Sequence, residues 1–207
     1  MKISNCFIEF SQSNFKLNVP YIKLNEKKIN CLIGDNGCGK STLLKQIASD
    51  NCDHDIDSKV MMLQKPFIFS GTVEDNIKLI KKLCPSSKID SRKLLEDLNL
   101  LQYLEQRAKS LSGGQRQRLA FALVILSDYD LIILDEPFNN IDIKSQQLMI
   151  AVMKQFDKTY LLASHKIGLS KKIGDYFFLI ENGEIIDEGT KTTFFDNVKV
   201  KELMEME

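Results

Sequence analysis

The sequence has no net charge, no internal repeat and no long apolar run. Its 28 basic and 28 acidic residues cancel, so no overall field would hold a nucleic acid or an anionic membrane surface by charge alone. The most apolar segment, residues 119–126, is far shorter than the ~20 residues that cross a bilayer. We therefore expect that this chain neither binds nucleic acid nor crosses a membrane itself.

The cysteines form no recognisable framework. Five are present, an odd number, and none shows the CxxC spacing of a metal or redox site. No signal-peptide pattern precedes them. These features favour a reducing compartment, so we expect a cytoplasmic protein with free thiols.

One short stretch is unusually rich in glycine. Glycines 34, 37 and 39 are followed at once by Lys40, Ser41 and Thr42, which matches the phosphate-binding pattern G-x-x-x-x-G-K-[ST]. Backbone N–H groups of such a loop surround phosphate oxygens, the lysine reaches the β- and γ-phosphates, and the serine hydroxyl is a Mg²⁺ ligand. The whole stretch is therefore expected to bind nucleotide: Gly34, Asp35, Asn36, Gly37, Cys38, Gly39, Lys40, Ser41 and Thr42.

A pair of carboxylates follows a second apolar run. Residues 131–134 read Leu-Ile-Ile-Leu, which predicts a buried strand, and Asp135 and Glu136 come directly after it. We assign Asp135 to the metal ion. Glu136 is the expected catalytic group that polarises the attacking water.

The order of the predicted elements indicates an α/β protein. A strand at residues 29–33 leads into the glycine loop and a helix, and further strands alternate with helices to residue 180. This alternation predicts a mostly parallel sheet covered on both faces. Residues 72–107 have a helical, amphipathic pattern and open on a predicted helix cap at Thr72 and Asp75.

The run Leu111-Ser112-Gly113-Gly114-Gln115 narrows the choice among phosphate-loop proteins. At this point the chain resembles the ATP-binding-cassette (ABC) family, whose signature is LSGGQ. The resemblance implies a P-loop NTPase fold of the ABC ATPase type, forming one domain over residues 1–207 with a helical subdomain inserted at 64–111. Because the segment between Lys40 and Gln64 is too short for the hairpin that many cassettes carry there, we expect a reduced antiparallel β subdomain.

The resemblance also implies functional roles for individual residues of this chain. Gln64 corresponds to the glutamine that touches Mg²⁺ and the attacking water, and His165 to the histidine that donates to the γ-phosphate. Asp142 resembles the aspartate that communicates between two ATP sites. In this family two cassettes pair head to tail, so that the signature of one closes over the ATP in the other's phosphate loop. This implies nucleotide contacts in trans from Ser112, Gly113, Gly114 and Gln115.

The resemblance implies an ATPase that uses ATP and Mg²⁺ to drive transport through a separate integral membrane permease. The second cassette of the pair would be an identical chain or a different one. The protein would be bound peripherally at the cytoplasmic face of the cell membrane. Phe67 and Phe69, close to Gln64, suit a socket for the permease or a place in the core. The alternative is a soluble cassette acting on DNA or ribosomes. Against it, the insertion lacks heptads and the chain has a single cassette.

Two further assignments stay open in the sequence. The aromatic residue that stacks on adenine is Phe10 or Phe15, unless these belong to the core. Cys38 is a small filler of the loop or a reactive thiol, and its position beside Lys40 and a helix N-terminus predicts a lowered pKa.

Overall fold

The computed structural model describes residues 1–9 and 15–205. Within these residues the strands are β1 (Lys2–Glu9), β2 (Lys16–Lys23), β3 (Ile29–Ile33), β4 (Asp53–His54), β5 (Lys59–Met62), β6 (Leu131–Asp135), β7 (Thr159–Ser164), β8 (Tyr176–Glu181) and β9 (Glu184–Thr190). The helices are α1 (Lys40–Ala48), α2 (Val73–Leu83), α3 (Ser91–Asp97), α4 (Gly113–Leu126), α5 (Ile143–Gln155), α6 (Ile167–Ile173), α7 (Lys191–Phe194) and α8 (Val198–Glu205).

The centre of the molecule is a six-stranded sheet in the order β5-β6-β7-β3-β8-β9. Its first five strands are parallel, and β9 pairs antiparallel with β8. Strands β3, β6 and β7 are buried along their whole length, as expected where helices cover both faces of a parallel sheet. The predicted α/β fold is confirmed.

Side-chain alternation in these strands divides the apolar interior into two clusters. In β6, Ile132 and Leu134 join the cluster that contains α4 and α5. Leu131 and Ile133 point the other way, into the cluster formed with α1 and the N-terminal strands. Each strand of the parallel sheet is thus fixed from both sides, and the loops at its C-terminal edge stand on a rigid base.

A second, smaller sheet has the order β2-β1-β4 and is antiparallel. Its third strand has only two residues, which agrees with the expected reduced antiparallel subdomain. The pairing of Ser4 with Asp53 brings neighbouring Cys6 and Cys52 together, and these two form a disulfide. The expectation of free thiols is therefore wrong for this pair, because a register set by tertiary pairing leaves no trace in cysteine spacing.

The segment between β5 and α4 is helical, as its pattern predicts. It contains α2, α3 and single 3₁₀ turns at Leu101–Tyr103 and Ala108–Ser110. The predicted cap of α2 is present: Asp75 N donates to Thr72 Oγ1 at 3.1 Å, and Thr72 N donates to the Asp75 carboxylate at 2.8 Å. This reciprocal pair satisfies two backbone donors at the start of the helix.

Helix α4 lies in the centre of the structure, and every residue from Gln117 to Leu126 is buried. A helix that is apolar on all sides is typical of the interior of a protein. Across the part of the chain that the structure describes, no helix is both long and apolar enough to traverse a bilayer.

Candidate functional site

The glycine loop connects the end of β3 to the start of α1. Gly39 caps the helix with φ of 113°, a left-handed conformation that glycine adopts without steric cost. A Cβ atom at this position would lie 2.8 Å from Cζ of Phe15. The backbone angle thus favours glycine here, and the ring of Phe15 lies close over the loop.

Lys40 folds back over this loop. Its Nζ donates to the carbonyl oxygens of Gly34 at 2.6 Å and Asp35 at 2.8 Å, and the residue is buried. A buried ammonium group requires such partners, since its desolvation is otherwise unfavourable. The loop therefore concentrates positive charge beside the N-terminus of α1, where helix geometry favours an anion.

A serine and an aspartate meet beneath the loop. Ser41 lies in the first turn of α1, and its Oγ donates to Asp135 Oδ1 at 2.9 Å. Asp135 is the last residue of β6 and is 2% exposed. Two hard oxygen groups at this distance suit a divalent cation such as Mg²⁺.

Glu136 and His165 form a second pair at the same edge of the sheet. The Glu136 carboxylate accepts from the backbone N–H of His165 at 3.0 Å, and the same oxygen lies 2.9 Å from His165 Nδ1. Glu136 has φ of 50°, which is uncommon for a residue with a side chain. Unfavourable backbone angles persist only where surrounding contacts enforce them, and they concentrate at functional sites.

All of these groups except Asp135, which is buried behind Ser41, face one cavity of about 430 Å³. It is lined by Phe15, Asn36, Gly37, Gly39, Lys40, Ser41, Thr42, Gln64, Glu136, Asn139 and His165. The structure thus brings Gln64, Glu136 and His165 together with most of the glycine loop. Gly34, Asp35 and Cys38 do not line this cavity and instead line a neighbouring one, beside β8 and α8.

The signature residues lie outside this cavity, at the start of α4. Ser112 caps α4: Gln115 N donates to Ser112 Oγ at 3.3 Å, and Ser112 N donates to Gln115 Oε1 at 2.7 Å. None of residues 112–115 lines the cavity that holds Lys40 and Glu136. A single chain therefore does not join its signature to its own phosphate loop.

Asp142 packs directly against the signature. A Cβ atom on Gly114 would lie 3.3 Å from Asp142 Oδ2, so a side chain at this position would press on that carboxylate. Asp142 caps α5, where it accepts hydrogen bonds from Ser145 N at 2.9 Å and Ser145 Oγ at 2.7 Å. These hydrogen bonds lower the pKa of the Asp142 carboxyl.

The thiol of Cys38 behaves differently from the sequence-based prediction. Its pKa is raised, chiefly because burial disfavours the thiolate, and the opposing effect of Lys40 is smaller. The prediction of a lowered pKa is wrong here. Proximity to a cation and a helix end was visible in the sequence, whereas burial was not.

Four residues of this region were not assigned to the site, or not decisively, by sequence reasoning. Phe15 and Asn139 line the cavity, while Phe10 lies outside the described residues. Gln117 and Arg118 are buried polar residues of α4. The sequence does not distinguish them: residues 115–118 are four consecutive polar residues, and only the packing of α4 decides that Gln117 and Arg118 are the buried ones.

The chain is similar to known proteins over most of its length. The family model described as ABC transporter matches residues 17–139. The glutathione/L-cysteine transport system ATP-binding/permease protein CydC of Escherichia coli K12 is 31% identical over 86% of this chain, which spans 36% of that protein. The thiamine import ATP-binding protein ThiQ of Haemophilus ducreyi is 33% identical, over 75% of this chain and 84% of that protein.

A solved structure described as the ATP-binding subunit of an ABC transporter superposes with a TM-score of 0.85. The superposition covers 99% of this chain and 98% of that one, at 19% sequence identity. At this identity the likeness bears on the fold alone.

Proposed function

The chain belongs to the ABC transporter family, and from this premise we propose that it binds and hydrolyses ATP to drive transport through a separate membrane permease. The observation that carries the proposal is the shared cavity. It joins a loop suited to phosphate, Ser41 with its hydrogen bond to the buried Asp135, and the Glu136–His165 pair. Family membership already implies nucleotide binding.

Mg²⁺ fits the residues present. Ser41, Asp135 and Gln64 would hold it through side-chain oxygens, with phosphate oxygens and water completing the shell. Among the residues that the structure describes, no three His, Cys, Asp or Glu side chains converge as a metal cage, and a cation shared with the substrate phosphates needs none. When bound, the ion neutralises charge on the transferred phosphoryl group.

The chain's own residues divide the chemistry between them. Lys40 would exchange its carbonyl partners for the β- and γ-phosphates. Glu136 would accept a hydrogen bond, and then the proton, from the attacking water. His165 holds the Glu136 carboxylate through its backbone N–H, and its ring would donate to the γ-phosphate. Phe15, which covers Gly39, would stack on the adenine.

A second cassette would complete the site. The capped start of α4 is a natural phosphate-binding end, yet it does not reach the cavity of its own chain. Residues 112–115 of a paired cassette, with Asp142 beside them, would close over the bound ATP. We propose a homodimer, with a heterodimer as the other arrangement.

The permease would contact the helical subdomain that we assign to residues 64–111 of one domain over 1–207. Phe67 lies there, 69% exposed, and its ring contacts Phe69 edge-on at 5.0 Å between centroids. An exposed aromatic residue of this kind suits a partner's surface. We propose a peripheral location at the cytoplasmic face of the membrane. The two curated relatives are named for transport, which favours transport over action on DNA or ribosomes.

The proposal is tested with Glu136→Gln. This variant should bind MgATP as tightly as the wild type, hydrolyse it at least 100-fold more slowly, and elute from gel filtration as a dimer in MgATP. Lys40→Ala is the matched control, which should lose nucleotide binding and remain a monomer. A Glu136→Gln monomer with normal turnover would contradict the mechanism. Failure to co-purify with any membrane protein from its native host would contradict the transport role.

A further inference from the structure

The signature helix is hydrogen-bonded to the turn that carries Glu136. Gln117, in the second turn of α4, is 6% exposed, and its Nε2 donates to the carbonyl oxygen of Pro137 at 3.0 Å. Pro137 directly follows Glu136. A side chain of the signature helix therefore reaches the backbone next to the carboxylate to which we assign the attacking water.

This turn is fixed by a donor from another part of the chain and by one of its own. The Phe138 carbonyl accepts from Lys166 Nζ at 3.0 Å, and within the turn the Glu136 carbonyl accepts from Asn139 N at 3.2 Å. Glu136 itself has φ of 50°. A residue in this conformation is held by its surroundings, so loss of the donor to the adjoining Pro137 carbonyl allows the Glu136 carboxylate to turn away from its productive position.

The path from the signature to this turn is short and stiff. Ser112 and Gln117 are five positions apart, about 7.5 Å of helix rise. The reciprocal Ser112–Gln115 hydrogen bonds fix the first turn, and α4 is buried from Gln117 onward. Arg116 N also donates to the Ser112 carbonyl at 2.9 Å, so a displacement at Ser112 would be carried to Gln117 through this hydrogen-bonded turn.

We propose that Gln117 is a positioning residue that sets Glu136 according to whether this chain's own signature is engaged by the second cassette's nucleotide. Each of the two ATP sites would then report its closure to the other chain's water-activating carboxylate. The inference rests on the proposed function. It assigns to Gln117 the link between the two sites within one chain.

The test compares two identical substitutions. Gln117→Met keeps the length of the side chain and removes the donor. Gln146→Met is the matched control, since Gln146 Nε2 also approaches this loop, at 3.5 Å from Phe138 O and 3.3 Å from Ile141 O, but belongs to α5. We expect Gln117→Met to lower kcat about tenfold with the Kd of MgATP within twofold of wild type. Gln146→Met should change kcat less than twofold.

Two further readouts separate positioning from structural support. Combined with Glu136→Gln, Gln117→Met should still form the MgATP dimer, because pairing does not depend on this bond. Gln117→Glu donates only when protonated, so its kcat relative to wild type should rise as the pH is lowered from 8 to 6. This variant keeps the polarity of the site and replaces Gln117→Met if the latter does not fold.

Three outcomes would overturn the inference. The first is a kcat for Gln117→Met within twofold of wild type. The second is a decrease in kcat for Gln146→Met as large as that for Gln117→Met. The third is loss of the MgATP dimer when Gln117→Met is combined with Glu136→Gln. A wild-type chain that binds MgATP but never hydrolyses it would instead refute the proposed function, and this inference with it.

Discussion

Reduction of the Cys6–Cys52 disulfide should destabilise the protein strongly. The two cysteines are 46 positions apart, and a cross-link over such a loop removes chain entropy from the unfolded state worth about 4 kcal/mol at 25 °C. Both residues are almost fully buried, so solvation of the reduced thiols would contribute little to the stability of the folded state. The loss should therefore appear mainly as lower stability of an otherwise unchanged fold.

The assay is urea unfolding followed by far-ultraviolet circular dichroism, with and without a reductant. For a urea m-value of about 3 kcal/mol per molar, a loss of about 4 kcal/mol lowers the midpoint by about 1.3 M. A variant with both Cys6→Ala and Cys52→Ala is the control, and its midpoint should not respond to the reductant.

The presence of the disulfide is tested by a separate count of the free thiols. Alkylation of the unfolded, unreduced chain should modify only Cys31, Cys38 and Cys84, the cysteines that are free in the structure. Modification of all five cysteines, or a wild-type midpoint that ignores the reductant, would refute the reasoning.

Three other expectations concern the nucleotide site. Phe15→Ala should weaken MgATP binding about tenfold by calorimetry, because stacking on a base contributes on the order of 1–3 kcal/mol; an unchanged Kd would exclude the assigned role. Gly114→Val should abolish the MgATP dimer of Glu136→Gln on gel filtration, since its side chain would press on Asp142, whereas the nucleotide affinity of the monomer should persist. Cys38, whose pKa is raised, should react with maleimide at pH 7 more slowly than the same cysteine in the unfolded chain, and equal rates would contradict the burial argument.

The parallel sheet could be predicted because its strands are continuous apolar runs that end at turn residues. Leu131 to Leu134 carry this signal without any tertiary information, and so does the strand before the glycine loop. The cap of α2 was equally local, because Thr72 and Asp75 are three residues apart. The resemblance to the ABC family indicated two further residues that the structure brings to the cavity beside the glycine loop, Gln64 and His165.

Other features depend on contacts that sequence spacing does not reveal. The two residues of β4 are held by their pairing with β1, and no short pattern specifies that register. The disulfide depends on the same pairing. The pKa of Cys38 depends on how far the folded chain excludes water. For Gln117, neither its burial nor its partner, the Pro137 carbonyl, was predicted from the sequence.

Burial of α4 on all sides has a mechanical consequence. Amide hydrogens in the middle of this helix should exchange with solvent only when the whole molecule opens, so α4 belongs to the slowest-exchanging part of the protein. The first turn of α4, by contrast, lies at the surface. A movement of the first turn would therefore be transmitted into the core, because the rest of α4 is buried and does not unfold locally.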